Sequence, residues 1–396
     1  MNDSYILRGN ATLNSNLNDL ISLRHHLHQH PELSGMEYET AKHISSFLSS
    51  FTPTKIVSGL GSGTGLIALW ESETPGPVIL FRSELDALPI NEIENSNYSS
   101  RTNGISHKCG HDGHVTMVCG LAAFINKFPP TSGKIGLLFQ PAEETGQGAL
   151  ALVNDERFLN IKPDYIIGLH NLPGFATGKI IMKSGPFCAA SCGMRIKLEG
   201  SSSHAAEPEK AISPLSCLVS LMNSLPALTH SIHSKYPLQI TITHARLGEE
   251  SFGITPGLAI LQITLRAYDE NDLSMLINSV QDFAKKEAEK NALQITIELE
   301  DKFPVTANNN EMYEFVKTAA EKNGYNFITN EKSFRWSEDF GHYSKIAKTA
   351  FFGLGAGENL ANLHNPGYDF PDELIPYGVN MFHAIRDLIW KQEEHS

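Results

Sequence analysis

What most constrains the fold of this 396-residue chain is a change in the spacing of its apolar residues. Four short runs in the first half, GLIALW from Gly65, VILFRS from Val78, KIGLLFQ from Lys134 and YIIGLH from Tyr165, are apolar without polar alternation; a fifth, TAFFGL, begins at Thr349. A strand reads this way when both its faces are buried, as in a mostly parallel sheet flanked by helices. Helical spacing lies between the runs: Leu13, Leu17, Leu20, Ile21 and Leu27 up to Pro31, then Ala41, Ile44, Leu48 and Phe51, then Val115, Val118, Cys119, Ala122 and Ile125. From about Cys188 the pattern switches. MRIKLEG, PLQITITHA, LAILQITLR and LQITIEL alternate apolar with polar, and two amphipathic helices, around Leu218 and around Leu276, give the order βαββαβ. That order describes a ferredoxin-like α+β unit whose open sheet face or edge calls for a partner. After about Asp301 the first style returns, ending in a helix with Val379, Phe382, Ile385 and Leu388. The expected architecture is an α/β domain, residues 1–186 and 301–396, interrupted by an inserted α+β domain, residues 187–300.

Charge excludes two classes of partner. Lys and Arg number 31 against 44 Asp and Glu, a balance of −13. With no basic run, the chain would be repelled by phosphate backbones and anionic lipid, so no nucleic acid and no membrane partner is expected. No apolar stretch reaches the roughly 18 residues that a bilayer requires. The start, MNDSYILRGNATLNSN, lacks a basic segment followed by an apolar one. The five cysteines are scattered and odd in number, without a CxxC pair, as in a reducing compartment. A cytoplasmic protein is expected.

The 17 histidines are where chemistry is sought. The densest cluster is HKCGHDGH, His107 to His114, in which Cys109 and His111 can turn toward one ion with Asp112 and His114 in support. A polar loop capping the next helix is the plainer alternative. In FQPAEETGQGA, Glu143 and Glu144 follow a buried strand; one carboxylate can bind metal while the other accepts a proton from water. Taken alone, a pair of glutamates is unremarkable. His170 closes YIIGLH, and Glu84 and Asp86 follow VILFRS, so five polar groups emerge at the carboxyl ends of strands, where open α/β sheets bind ligands. His364, in a polar loop after TAFFGL, and His204, in EGSSSHAAEPE of the insert, read by themselves as loop residues. Ser337-Glu338-Asp339 reads as an acidic helix cap, and most of His25, His26, His28 and His30 as solvated. GLGSGTG precedes a strand where a dinucleotide loop would follow one, and no P-loop or GxSxG elbow is present.

Together, LRHHLHQHPEL, FRSELDALPI, SHKCGHDGH, FQPAEETGQGA, IIGLHNLPG, GSSSHAAEP, WSEDFGHY, FFGLGAG and LHNPGYDFPDE resemble, in order and over nearly the whole chain, the M20 metallopeptidase family. The resemblance is to its amidohydrolase branch, which includes hippurate and auxin-conjugate hydrolases. It implies a metal-binding α/β domain interrupted by a dimerising lid domain, and hence a homodimer through the insert. It also implies a two-metal site in which Cys109 bridges, His111 and His170 complete one metal, and Glu144 and His364 the other. Glu143 matches the general base, Asp86 the aspartate that orients a ligand, and His204 a lid histidine that reaches a neighbouring active site. A thiolate, three imidazoles and a carboxylate suit Zn²⁺, with Mn²⁺, Co²⁺ or Ni²⁺ as alternatives. The implied reaction is hydrolysis of an N-acyl amino acid by a water activated between two metals. A carboxypeptidase or dipeptidase of the same family, and an inactive metal-binding scaffold, are the alternatives. Two departures bear on them: Glu84 stands where relatives carry aspartate, and Gly253, in FGITP, where they carry asparagine. Arg266 is a candidate for a substrate carboxylate.

Overall fold

The computed structural model describes residues 3–93 and 96–393; positions 1–2, 94–95 and 394–396, all within the expected α/β domain, lie outside the described residues. The chain divides into two compact units: Met1–Phe187, Thr306–Lys332 and Asp339–Ser396 form one, Cys188–Val305 and Ser333–Glu338 the other.

In the first unit β1 (Lys55–Leu60), β2 (Gly65–Glu71), β3 (Val78–Glu84), β4 (Lys134–Gln140), β5 (Tyr165–Pro173) and β6 (Ile180–Met182) join two later strands in an eight-stranded sheet. Its order is β1-β2-β4-β3-β5, then Lys348–Gly357, β6 and Phe327–Thr329. From β4 through β3 and β5 to Lys348–Gly357 all pairings are parallel. β2 is antiparallel to both its neighbours, although it is buried at every residue but Glu71. Burial on two faces follows from the layers that cover a strand and does not set its direction. β1 is half-exposed at the sheet edge, so no unbroken apolar run marks it. One core joins Leu20, Leu23 and Leu27 of α1 (Asp3–Gln29), Ile44 and Leu48 of α2 (Tyr38–Ser49), and Val115, Val118 and Ala122 of α3 (His111–Lys127). Against them pack Phe81, Leu137, Ile167 and Phe352 of the sheet, and each such residue contributes about 1.5–3 kcal/mol by leaving water.

α3 begins abruptly. Its cap, Gly110, has φ +91°, and a β-carbon there would overlap Asn171 Oδ1 on β5. Only glycine combines that backbone with so close an approach, and the result fixes His111 as the first residue of the helix.

The second unit is a four-stranded antiparallel sheet. In chain order its strands are β7 (Ala190–Glu199), β9 (Gln239–Leu247), β11 (Leu258–Ala267) and β12 (Gln294–Phe303), arranged β9-β11-β7-β12. The short strands β8 (Ser203–His204) and β10 (Ile254–Thr255) pair separately. α4 (Leu215–Ser224) and α5 (Glu270–Lys290) cover one face: Leu218, Leu221, Leu276 and Val280 meet Ile196, Leu198, Leu261 and Ile263. The strand order is that of the ferredoxin-like unit expected from the alternation. Ser333–Glu338, which no periodicity marks, is tied to this unit by hydrogen bonds from Ala189 N to the carbonyls of Phe334 and Trp336, both 3.1 Å. Arg266 Nη1 holds the same segment, donating to Arg335 O at 2.9 Å and Ser337 Oγ at 2.8 Å, so this guanidinium has structural partners.

The histidines of α1 separate by burial. His28 is fully buried, contrary to the solvated reading: Nδ1 lies 2.8 Å from Asp112 Oδ2 and Nε2 2.8 Å from Glu92 Oε1. Arg24, one turn earlier and also fully buried, donates to Asp112 and Asp372 at 3.0 and 3.2 Å, pairs with Asp369, and lies 4.6 Å from the centre of the Tyr98 ring. Burial alone would lower the pKa of His28, but its hydrogen bonds to Asp112 and Glu92 outweigh it and lift the imidazole to about 9. An imidazolium favoured by the fold stabilises fully below the unfolded value near 6.5, and that stabilisation is lost as pH rises through about 9. Urea denaturation between pH 6 and 10 is therefore expected to show wild type losing up to about 3 kcal/mol relative to His28→Gln across that window; a constant difference would refute the assignment.

Candidate metal centre

The parallel strands deliver the site residues at their carboxyl ends. Glu84 ends β3 and Asp86 follows two residues later; Glu143 and Glu144 follow β4; His170 lies on β5; Cys109 and His111 flank Gly110 at the start of α3. β5 runs on to Pro173 beyond His170, because its partner strand continues to Gly357. His364 comes from the loop after Lys348–Gly357, where its backbone N–H donates to Lys108 O at 2.8 Å. His364 and Ala142, just before Glu143, have φ of +64° and +50°, a left-handed backbone that costs a non-glycine residue about 1–2 kcal/mol. Both strained residues adjoin the cluster, where such strain collects at functional sites.

Six side chains converge. Cys109, His111 and His170 present ligand atoms within 4.8 Å of one another, and so do Cys109, Glu144 and His364; Cys109 belongs to both sets. His111 with Glu143 and Glu144 forms a further set. Cys109 Sγ lies 3.3 Å from His170 Nε2, His364 Nε2 3.6 Å from Glu144 Oε1, and His111 Nε2 3.9 Å from Glu144 Oε1. Ligand atoms about 2.0–2.3 Å from a tetrahedral ion stand roughly 3.3–3.8 Å apart, so the spacings suit coordination.

The ring nitrogens face the right way. His111 Nδ1 lies 2.8 Å from Asp86 O, and His170 Nδ1 lies 2.8 Å from Asn171 O. A carbonyl can only accept, so each Nδ1 carries a proton and each Nε2 is turned into the cluster. Asp86 Oδ2 accepts from Ser34 Oγ at 2.7 Å and from the Glu144 N–H at 2.9 Å, which locks the loop carrying the glutamate pair.

The electrostatics of this constellation fit a cation. His111 Nε2 and Glu144 Oε1 are buried without a hydrogen-bond partner. Burial would lower the pKa of His111, yet the hydrogen bond to Asp86 and the charges of Glu84, Asp86 and Glu144 raise it to about 10. Burial, and then Glu144 and Glu143, push the Cys109 thiol well above its usual range. Burial and the neighbouring His114 keep His170 neutral. A pocket that draws a proton onto an imidazole and refuses a thiolate carries surplus negative charge, and divalent cations are the species that relieve it while using those orphaned atoms as ligands.

Around the donors lies a supporting layer that motif reading resolves only in part. His114, expected to support the ligands, spans Glu84 Oε2 at 2.8 Å and Asn171 Oδ1 at 2.6 Å. Asp112, expected in the same role, turns to Arg24 and His28 instead. Glu84 is fully buried and paired with Arg82, whose Nη2 also donates to Asp339 at 3.0 Å. Asp339 is therefore no solvated cap: it is buried, and it accepts from Gln140 Nε2 and from the Ala149 N–H at 2.8 Å each. His204 belongs to the second unit, on β8, and is exposed; its Nδ1 accepts from the Ala206 N–H at 3.0 Å, so the proton resides on Nε2.

Comparison with known proteins gives this arrangement its class. Residues 80–386 match the model of peptidase family M20/M25/M40, and the chain belongs to that family. Over 363 residues it is 31% identical to the hippurate hydrolase of Campylobacter jejuni, covering 91% of this chain and 94% of that enzyme. It is 38% identical over 258 residues to the N-acetyl-L-cysteine deacetylase of Bacillus subtilis, an alignment that spans 63% of this chain and 59% of that relative. A dinuclear metal-binding peptidase of the M20 family from Bacillus subtilis superposes with a TM-score of 0.81 at 26% identity, covering 96% of this chain and 99% of that one. The chain is a hydrolase of amide bonds in the amidohydrolase branch, with a centre suited to two divalent metals.

Two bound ions should stabilise the fold by cancelling the buried carboxylate surplus. Chelator-stripped protein titrated with Zn²⁺ is expected to take up two equivalents and to gain about 4 kcal/mol per ion at a free ion concentration a thousandfold above Kd, read as a rise in melting temperature. A melting temperature indifferent to metal would contradict this account.

Proposed function

We propose that the chain hydrolyses N-acyl amino acids, of the hippurate or N-acetyl type, to a carboxylate and a free amino acid. The observation that carries this reading is the sharing of Cys109 between two ligand sets with Glu143 beside them. Cys109 would bridge, His111 and His170 would complete one metal, and Glu144 and His364 the other. Divalent ions there supply Lewis acidity toward a carbonyl and toward water near neutral pH. The thiolate and imidazoles favour Zn²⁺, with Mn²⁺, Co²⁺ and Ni²⁺ as alternatives.

The remaining steps belong to the chain. Glu143, nearly buried, takes the proton from the attacking water and returns it to the leaving amine as the carbon–nitrogen bond breaks. Asp86 keeps His111 oriented through its backbone carbonyl, 2.8 Å from Nδ1. His204, with its proton on Nε2, is the oxyanion donor, supplied by a neighbouring subunit. The second unit offers a surface for such pairing: Leu215, Val219 and Met222 on α4 are 48%, 47% and 36% exposed, and β9 is an edge strand. A homodimer through this unit and a cytoplasmic setting complete the reading. All five cysteines are free and buried, and oxidation would remove the bridging thiolate.

Glu143→Gln is expected to lower kcat by at least 10²–10⁴-fold with metal content unchanged; normal turnover would sink the base assignment. Hippurate-like substrates should be cleaved in preference to dipeptides, whereas a preference for dipeptides would favour the peptidase alternative. Metal uptake with no turnover of either class would favour a scaffold. Val219→Glu should yield a monomer in sedimentation that retains its metals and loses activity, and a fully active monomer would remove the cross-subunit role of His204.

A further inference from the structure

Behind the metal ligands lies a buried ionic cluster that the hydrolytic scheme does not use. It joins Arg24 and His28 of α1 to Asp112, Glu92 and Lys108. Arg24, His28 and Asp112 are fully buried, and the side chains of Lys108 and Glu92 are 1% and 4% exposed. Asp369 and Asp372, about a quarter exposed, complete the shell around Arg24. Burying so many charges costs several kcal/mol per ion unless geometry and counter-charge compensate, and replacing such clusters with apolar residues is often stabilising. Stability alone is therefore a poor reason for this one.

Two of its members lie next to the metal ligands along the chain. Asp112 follows His111, and Lys108 precedes Cys109. Lys108 O accepts from His364 N, tying the loop of one ligand to that of another. Lys108 Nζ donates to Tyr368 O at 2.7 Å, and the Tyr368 hydroxyl accepts from Asn171 Nδ2 at 2.6 Å, beside His170. The loop that carries His364 is also held by Arg24 through Asp369 and Asp372. Two hydrogen bonds centre this assembly: the imidazole of His28 spans Asp112 and Glu92 at 2.8 Å on either side. Glu92 in turn pairs with Lys108 and accepts from Ser100 N at 2.6 Å. Each ring nitrogen of His28 faces a carboxylate oxygen, so the imidazolium alone donates to both at once.

We propose that His28 is a positioning residue for the metal centre: by holding Asp112 and Glu92 in register it sets the loops bearing Cys109, His111 and His364 at coordination spacing. This rests on the two-ion reading above. The ligands converge from four separate chain segments, and the cluster is the place where three of them, the Cys109–His111 loop, the His364 loop and the end of β5, are tied to a long helix. Outer partners of this kind act on ion affinity, because each ligand atom must be held within tenths of an ångström.

The test measures ion retention and does not depend on turnover. Wild type, His28→Gln and Glu92→Gln are loaded with Zn²⁺, and the dissociation constants are read by competition with a chromophoric chelator, with circular dichroism establishing the fold. Both variants are expected to bind Zn²⁺ 10–100-fold more weakly while retaining native secondary structure, and free imidazole is expected to recover part of the loss in His28→Gly. If His28→Gln fails to fold, Glu92→Gln decides alone. Folded variants that hold Zn²⁺ as tightly as wild type overturn the proposal. Wild type that holds no Zn²⁺ overturns the two-ion reading itself, and the two failures are distinct.

Discussion

A surplus of buried negative charge at the carboxyl ends of the parallel strands is the constraint on which the catalytic unit depends. Glu84, Asp86 and Glu143 are buried and Glu144 partly so, around a thiol and two buried imidazoles. Buried carboxylates require compensation, and the two buried arginines supply it only in part, to Glu84 and to acids outside the cluster. Arg82 is bound to Glu84 and Asp339, and Arg24 to Asp112, Asp369 and Asp372. The pull on a proton at His111 and the suppression of the Cys109 thiolate are two expressions of one imbalance. Divalent cations reverse both, releasing the imidazole lone pair and stabilising the thiolate. The same electrostatics that would weaken a metal-free fold thus make the site selective for cations.

That constraint explains what is legible in the amino-acid order. Unbroken apolar runs mark the buried strands, and a polar residue placed just after such a run lies at the sheet's ligand-binding edge; Asp86, Glu143 and Glu144 are found this way. Strand direction is not carried by the same signal, which is why β2 reads like its parallel neighbours while pairing antiparallel. Helical phase separates two residues that a motif places side by side. Asp112 is rotated about 100° from His111 around α3 and therefore faces α1, whereas His114, three residues on, returns to the side of His111 and reaches Glu84. His28 shows the limit most clearly. Nothing in LRHHLHQH distinguishes it from His26, and only tertiary packing buries one and leaves the other half-exposed.

His364 depends on long-range structure in another way. Its loop is polar and its side chain half exposed, features shared with ordinary surface residues. What brings it to Glu144 is a left-handed backbone and one hydrogen bond to Lys108 O, both invisible to periodicity. Gly110 is the opposite case: its place between Cys109 and His111 is plain in the motif, but its reason is the overlap that any β-carbon would make with Asn171. A ligand set spread over four segments is recognised from sequence only when several weak signals occur in order, and the structure supplies the contacts that make each of them necessary.

Glu84 and Gly253, the two departures from the family pattern, bear differently on function. The longer carboxylate of Glu84 pairs with Arg82 and hydrogen-bonds His114, which in turn meets Asn171 beside His170. Its extra methylene is accommodated within the supporting layer, and every ligand atom of the shared-cysteine sets is still present. Gly253 stands in open space: a β-carbon built there meets nothing within 4 Å, and the position engages its surroundings through backbone, accepting from Ala205 N at 3.0 Å. Neither departure removes a donor of the shared-cysteine sets.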